Sequence, residues 1–317
     1  MSRFLRTAVA ASLVVLAGCG SGSDGDGPTA PDNGTTGFGL SSLTVALPGT
    51  VVSVDETTAP ATVDLQWRDN LIQFRKVESA TVMLGSRTQD WGYTPEDEGR
   101  RSVTGGAFLI SVAELTQAQW RFLGGTVAAT AEDAIGGPAA IASNQPLFGV
   151  SYDTAVSVLN AFNARPGNAA VRLRLPTNDE WERACRAGAT TQFHWGGFLS
   201  GSTESDDLSL DTVRQFAQVR ETTSVPGPKS AGSVTFTKVL LPNRKPNAFG
   251  LYDMHGNLWE WVSDGGVVDA ETGADLRVLR GGSWSDSLVS ARAANRQYMG
   301  RAVPYGLAGI RLVMERR

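Results

Sequence analysis

Three stretches of this chain place apolar residues at helical spacing behind a polar cap. Thr116-Gln117-Ala118-Gln119 reads as a capping box, after which Trp120 and Leu123 face inward and Gly124-Gly125 end the helix. Ser151 or Asp153 opens a second helix, whose Ala155, Leu159 and Phe162 share one face. Thr177 and Glu180 open a third; Trp181, Ala184 and Cys185 form its apolar side, and Gly188 stops it. Elsewhere apolar and β-branched residues gather in short runs at 61–67, 71–77, 81–84, 108–112, 277–280 and 310–314, which predict strands. Few elements, short strands and long loops predict an α+β fold. There is no internal repeat.

The N-terminus adds a targeting segment. Residues 1–18 carry Arg3 and Arg6, then an apolar run over 8–17, and end in Leu16-Ala17-Gly18 before Cys19. A basic start, a short apolar stretch and small residues at the cut describe an export signal. The run is too short to span a bilayer as a helix. Cysteine directly after Leu-Ala-Gly resembles the bacterial lipoprotein signal, which implies cleavage before Cys19 and lipid on its sulfur. The alternatives are an ordinary signal peptide or a buried N-terminal helix. Several acyl chains on one residue anchor stably, at about 0.8 kcal/mol per buried methylene. By the same resemblance, Gly20 after the cysteine permits an outer-membrane or cell-surface location. Residues 20–37 hold no apolar side chain larger than Ala and Pro, so 19–37 reads as a flexible tether.

Charge and composition narrow the function classes. The formal net charge is −4, and loss of the leader removes Arg3 and Arg6 but no acid. A mildly acidic chain argues against nucleic acid, which wants a basic face. Contact with the membrane is expected through the N-terminal lipid alone. The 36 glycines among 317 residues exceed the usual level of about 7% and predict tight turns and irregular loops. With Cys19 lipidated, Cys185 is the one remaining thiol and no intrachain disulfide can form. Beside Trp181 on a helix it reads as a small core residue. The two histidines, His194 and His255, are too few for a three-histidine metal site, and nothing in the sequence places them together. Surface or structural roles are expected for both.

Four strings are more specific than core and turn patterning requires: RLPTNDEWERACRAG (174–188), PNAFGLYDMHGNLWEW (246–261), RVLRGGSW (277–284) and GIRLV (309–313). In this order and spacing they resemble the formylglycine-generating-enzyme family, also called the sulfatase-modifying-factor family. The resemblance runs from about residue 75 to 317. It implies a C-type-lectin-like core with long, irregular, glycine-rich loops. Residues 38–74 precede it and are expected to add a strand or hairpin.

Two metals come with the resemblance. Asp253, Gly256, Asn257 and Glu260 fall within eight residues, and a tight loop with two carboxylates can offer a hard cation both side-chain and carbonyl oxygens. The resemblance implies structural calcium held by the side chains of Asp253 and Glu260 and the backbone oxygens of Gly256 and Leu258. The alternative is a turn in which Asp253 and Asn257 bond to backbone and Glu260 caps a neighbour. A second family calcium site has no convincing match, although Asp206, Asp207 and Asp211 lie near its place. Trp259 and Trp261 read as core. In active members two cysteines follow the GGS string, bind copper(I) and activate oxygen to oxidise a substrate cysteine to formylglycine. Soft thiolates suit copper(I), but the matching positions are Asp286 and Ala291. The resemblance therefore carries neither the catalytic residues nor copper.

Between RVLRGGSW and GIRLV lies a mixed segment, 284–307. A fixed frame around such a segment resembles the variable proteins diversified by retroelements, whose final segment is the ligand face. On that resemblance Trp284, Ser285, Asp286, Ser287, Ser290, Tyr298, Met299 and Tyr305 are the candidate ligand-binding residues, aromatic area alternating with adaptable polar contacts. The expected function is a lipid-anchored, non-catalytic envelope protein that binds a protein or glycan ligand. A formylglycine-type oxidase, or a structural envelope protein without a discrete ligand, are the alternatives.

Overall fold

A computed structural model describes residues 42–46, 50–55, 71–127, 146–169, 171–197, 210–222 and 244–317, with the backbone alone at 42–46, 50–55 and 71. The leader, Cys19, the 19–37 tether, the 61–67 run, Asp206 and Asp207 lie outside the described residues.

Polar caps start the helices where the pattern places them. Thr116 Oγ1 accepts from the Gln119 N–H at 3.1 Å while the Gln119 side chain accepts from the Thr116 N–H at 2.9 Å, so α1 (Gln117–Leu123) opens in a capping box. Ser151, not Asp153, caps α2 (Tyr152–Asn163), which buries Tyr152, Ala155, Leu159 and Phe162. Thr177 and Glu180 form a second capping box on α3 (Asn178–Arg186). α3 ends two residues before Gly188, because Ala187 itself takes the left-handed conformation at φ 46°. A further short helix, α4 (Leu210–Phe216), buries only Val213; one buried side chain leaves no periodic signal to read.

The strands are β1 (Ser42–Ala46), β2 (Thr50–Asp55), β3 (Leu71–Val77), β4 (Ala80–Leu84), β5 (Arg101–Gly105), β6 (Phe108–Ser111), β7 (Val171–Arg174), β8 (Ala217–Gln218), β9 (His255–Gly256), β10 (Trp259–Trp261), β11 (Val267–Val268), β12 (Asp275–Arg280), β13 (Gln297–Gly300), β14 (Ala308–Gly309) and β15 (Val313–Arg316). The main sheet has the order β2-β1-β3-β6-β15-β7, with every pairing antiparallel. The β1–β2 hairpin joins it through β3. A second sheet runs β11-β12-β10-β14, with β13 paired to β12. The last strand starts later than expected: pairing begins at Val313, because 310–312 leave the ladder and carry Arg311 inward to Glu260.

Helices and sheets together form an α+β domain whose larger core packs Trp120, Phe162 and Phe74 with Trp259, Trp261 and Ile310. A second cluster packs Trp181, Ala184 and Cys185 of α3 against Ile110, Val278 and Val313. Three of the buried arginines each face a buried glutamate: Arg280 with Glu182, Arg292 with Glu98, and Arg311 with Glu260. Each pair ties segments far apart in sequence, and leaving one partner unpaired in such a place costs about 3–5 kcal/mol.

Candidate functional site

The turn that follows β12 is built by two glycines at positive φ, Gly281 at 96° and Gly282 at 76°. A Cβ on Gly282 would stand 3.0 Å from the Ala291 backbone, so only glycine lets the turn close on the short 3-10 helix Leu288–Ala291. Inside the turn, Asp286 Oδ2 accepts from the Ser283 hydroxyl and, at 2.8 Å, from Trp259 Nε1. Its backbone oxygen accepts from the Arg220 N–H at 2.8 Å. Asp286 is therefore a fastened structural acceptor rather than a free ligand.

Ala291 is fully buried among Phe193, Val213, Ala217, Val219 and Leu288. Its methyl has no lone pair, and its carbonyl lies 2.6 Å from His255 Nδ1. A carbonyl only accepts, so Nδ1 carries the proton and Nε2 keeps its lone pair. That lone pair faces Cys185 Sγ and the His194 N–H, both at 3.4 Å. Burial pushes the Cys185 thiol far up and holds His255 down at about 4, so the pair is neutral and the sulfur stays protonated. Burial, and then the neighbouring His255, also push His194 well below its ordinary value. The structure corrects the reading of the histidines as unrelated: their rings stand 5.3 Å apart. A stacked row of Phe193, Trp195 and Phe216 flanks them, with centroids 4.9 and 5.1 Å apart. This cluster is a packed aromatic and imidazole core, consistent with the structural role expected for Cys185.

Both oxygens of Glu260 are occupied: Arg311 Nε lies 3.0 Å from each, Arg311 Nη2 2.8 Å from Oε1, and Trp181 Nε1 donates to Oε2 at 2.6 Å. Arg311 also donates to the Ser111 and Tyr252 carbonyls at 2.9 and 2.8 Å, which clamps β10 to the end of β6. Asp253 stands apart from this fork, with Arg244 Nε 3.7 Å from its Oδ1. Among the described residues, no group of three His, Cys, Asp or Glu side chains could hold a metal ion. In the expected set of Asp253, Gly256, Leu258 and Glu260, the Glu260 carboxylate is thus already taken up by Arg311 and Trp181. At the other calcium place, Asp211 is exposed and paired with Arg214 at 2.8 Å.

One acid in this region escaped the sequence reading. Glu114 accepts from the Leu258 N–H at 3.1 Å and from Asn257 Nδ2. Burial raises its pKa well above the ordinary value, and Glu260 and Asp253 add to the shift. The available signal was a carboxylate inside the apolar run Val112-Ala113-Glu114-Leu115.

The candidate ligand residues separate into two groups. Trp284 is buried at 8% exposure, a frame residue rather than a contact. Tyr298 lies in β13 with its hydroxyl donating to Asp97 at 2.7 Å; burial and Asp97 push its pKa up to about 12. Met299 packs on the larger core. Ser285, Ser287 and Ser290 are half-buried around the turn, and Tyr305 is near enough to Asp286 for that charge to raise its pKa, after the larger effect of burial.

A model of the sulfatase-modifying factor enzyme 1-like domain matches residues 73–316. The chain belongs to this family. The mouse protein named inactive C-alpha-formylglycine-generating enzyme 2 is 35% identical over 123 residues, 36% of this chain and 32% of its own. Mouse formylglycine-generating enzyme is 31% identical over 153 residues, 45% of this chain and 36% of its own. The chain thus spans about a third of the length of these curated relatives. Among solved structures, PvdO from Pseudomonas aeruginosa superposes with TM-score 0.58 at 23% identity, covering 81% of this chain and 99% of that one. Treponema denticola variable protein 1 superposes with TM-score 0.53 at 21% identity, covering 77% and 95%. The sulfatase-modifying-factor domain of this chain has the C-type-lectin-like fold expected from its motifs.

Proposed function

We propose that this chain is a non-catalytic, lipid-anchored envelope member of the sulfatase-modifying-factor family that binds a protein or glycan partner through the surface around the 284–291 turn. The observation that carries the non-catalytic half is the pair of groups at the copper positions: a carboxylate already hydrogen-bonded by Ser283 and Trp259, and a buried methyl. The oxidase alternative needs soft ligands that neither group supplies. The binding half is supported by Ser285, Ser287 and Ser290, half-buried on a turn whose frame is rigidly held, with Tyr305 close by. It is also supported by the shared fold of a protein named as variable. On that analogy the segment 284–307 is where sequence changes while RVLRGGSW and GIRLV hold the frame.

Anchoring and binding are tested together. Radiolabelled palmitate is expected to mark the wild type and not Cys19→Ser, whose chain is released. That released chain then serves as the probe on a glycan array and on envelope extracts. Ser285→Arg and Ser287→Arg should change stability by under about 1 kcal/mol, as surface substitutions do, yet weaken any binding so found by about tenfold or more. Equal labelling of wild type and Cys19→Ser contradicts the anchor. Binding indifferent to both arginines contradicts the assigned face.

A further inference from the structure

The region around Asp253 holds three buried carboxylates, Glu114, Asp253 and Glu260, and two buried guanidiniums, Arg244 and Arg311. Arg311 is committed to Glu260 through a fork. Among the described residues Asp253 has one ion pair, with Arg244, whose Nε stands 3.7 Å from Oδ1; the Arg244 and Asp253 side chains are 3% and 2% exposed. Arg244 Nη2 donates to Gln218 Oε1 at 2.7 Å, which orients the guanidinium. Its Nε and Nη1, and Asp253 Oδ1 opposite them, make no hydrogen bond. The approach is a charge pairing across a small gap rather than a fork. Asp253 is at φ 53°, Gly256 at 86° and Asn257 at 65°, so the backbone turns sharply at all three positions.

We infer that the guanidinium of Arg244 stands in for the metal ion that this loop would otherwise hold, so that the domain folds without calcium and removal of Arg244 opens a divalent-cation site at Asp253. A buried carboxylate needs a compensating charge. Arg244 supplies it from within the chain, and its bulk and charge both exclude a second cation from the same oxygen. Without it, Asp253 would be a buried, uncompensated anion near Glu114, and a hard cation is the species such oxygens take.

The test is thermal unfolding of the full chain with chelator or with millimolar calcium, together with terbium luminescence sensitised by the nearby tryptophans. The wild type should melt at the same temperature in both solutions and give no sensitised terbium emission. Arg244→Met should melt lower in chelator, rise by about 5 °C in calcium, and light up with terbium. Arg244→Met combined with Asp253→Asn should lose both responses. Arg244→Lys, which keeps the charge, should stay indifferent to calcium. A wild type whose melting temperature falls in chelator overturns the inference, as does a folded Arg244→Met that ignores both ions. Should Arg244→Met fail to fold even in calcium, a calcium-dependent Arg244→Lys overturns it and an indifferent, folded one supports it.

Discussion

Replacing Arg311 with methionine is expected to destabilise the domain by about 3–5 kcal/mol, the cost of leaving a buried charge without its partner. Arg311 is fully buried and donates to Glu260 and to the Ser111 and Tyr252 carbonyls. The substitution therefore strands a carboxylate and two carbonyl acceptors at once. Urea unfolding followed by circular dichroism measures the loss. A second substitution separates charge from packing: Glu260→Gln in the Arg311→Met background removes the stranded anion and keeps an acceptor for Trp181 Nε1. The double variant should be more stable than Arg311→Met alone, with a coupling of about 1–3 kcal/mol in the cycle. A loss under about 1 kcal/mol for the single variant would mean that the fork does not organise this part of the fold.

His255 should make the domain lose stability in mild acid. Its folded pKa is about 4 against an ordinary 6.5, with burial the main cause. The unfolded chain therefore binds a proton in a range where the folded chain does not. The contribution is fully present above pH 6.5 and is lost as pH falls from there through 4. At 1.36 kcal/mol for each unit, it is on the order of 3 kcal/mol. The groups around the ring are Cys185 on α3, His194, the Ala291 carbonyl and, through its charge, Arg186. His194 is shifted in the same direction and adds to the loss. Glu180, Glu182 and Glu315 have lowered pKa values and also lose stability in acid, below the ordinary carboxylate range. Glu114 is raised and opposes them, since its contribution favours folding in acid and is lost as pH rises. The variant His255→Asn cancels these common effects. Its amide can still donate to the Ala291 carbonyl, and the stability difference, wild type minus variant, should grow by about 3 kcal/mol between pH 4 and 7. Parallel curves would show that the ring is not held neutral by burial.

Local chemistry was legible in the sequence, and long-range charge pairing was not. The boxes Thr116–Gln119 and Thr177–Glu180 lie within three residues and close as patterned. The strand Leu71–Val77 runs over the span its apolar residues mark. By contrast, Glu260 meets Arg311 across 51 residues and Glu98 meets Arg292 across 194. No local period records such a pair. The loop 253–260 has the spacing of a cation site, but the arginines that occupy its carboxylates come from elsewhere in the chain. Trp284 stands at the junction of the frame string and the ligand segment, and the fold buries it nearly fully. That positions 286 and 291 carry no thiol needs no structure to be seen.

The claim that this family member is non-catalytic meets its most direct test in a conversion assay. Purified protein, loaded with copper(I) and supplied with oxygen and reductant, is incubated with a cysteine-containing sulfatase-type peptide, and the peptide is read by mass spectrometry for the formylglycine aldehyde. The structure predicts no aldehyde above a protein-free control, since Asp286 is tied to Ser283 and Trp259, Ala291 has no ligand atom, and Cys185 is a buried neutral thiol. Aldehyde formed by the wild type, and retained in Cys185→Ala, would contradict it.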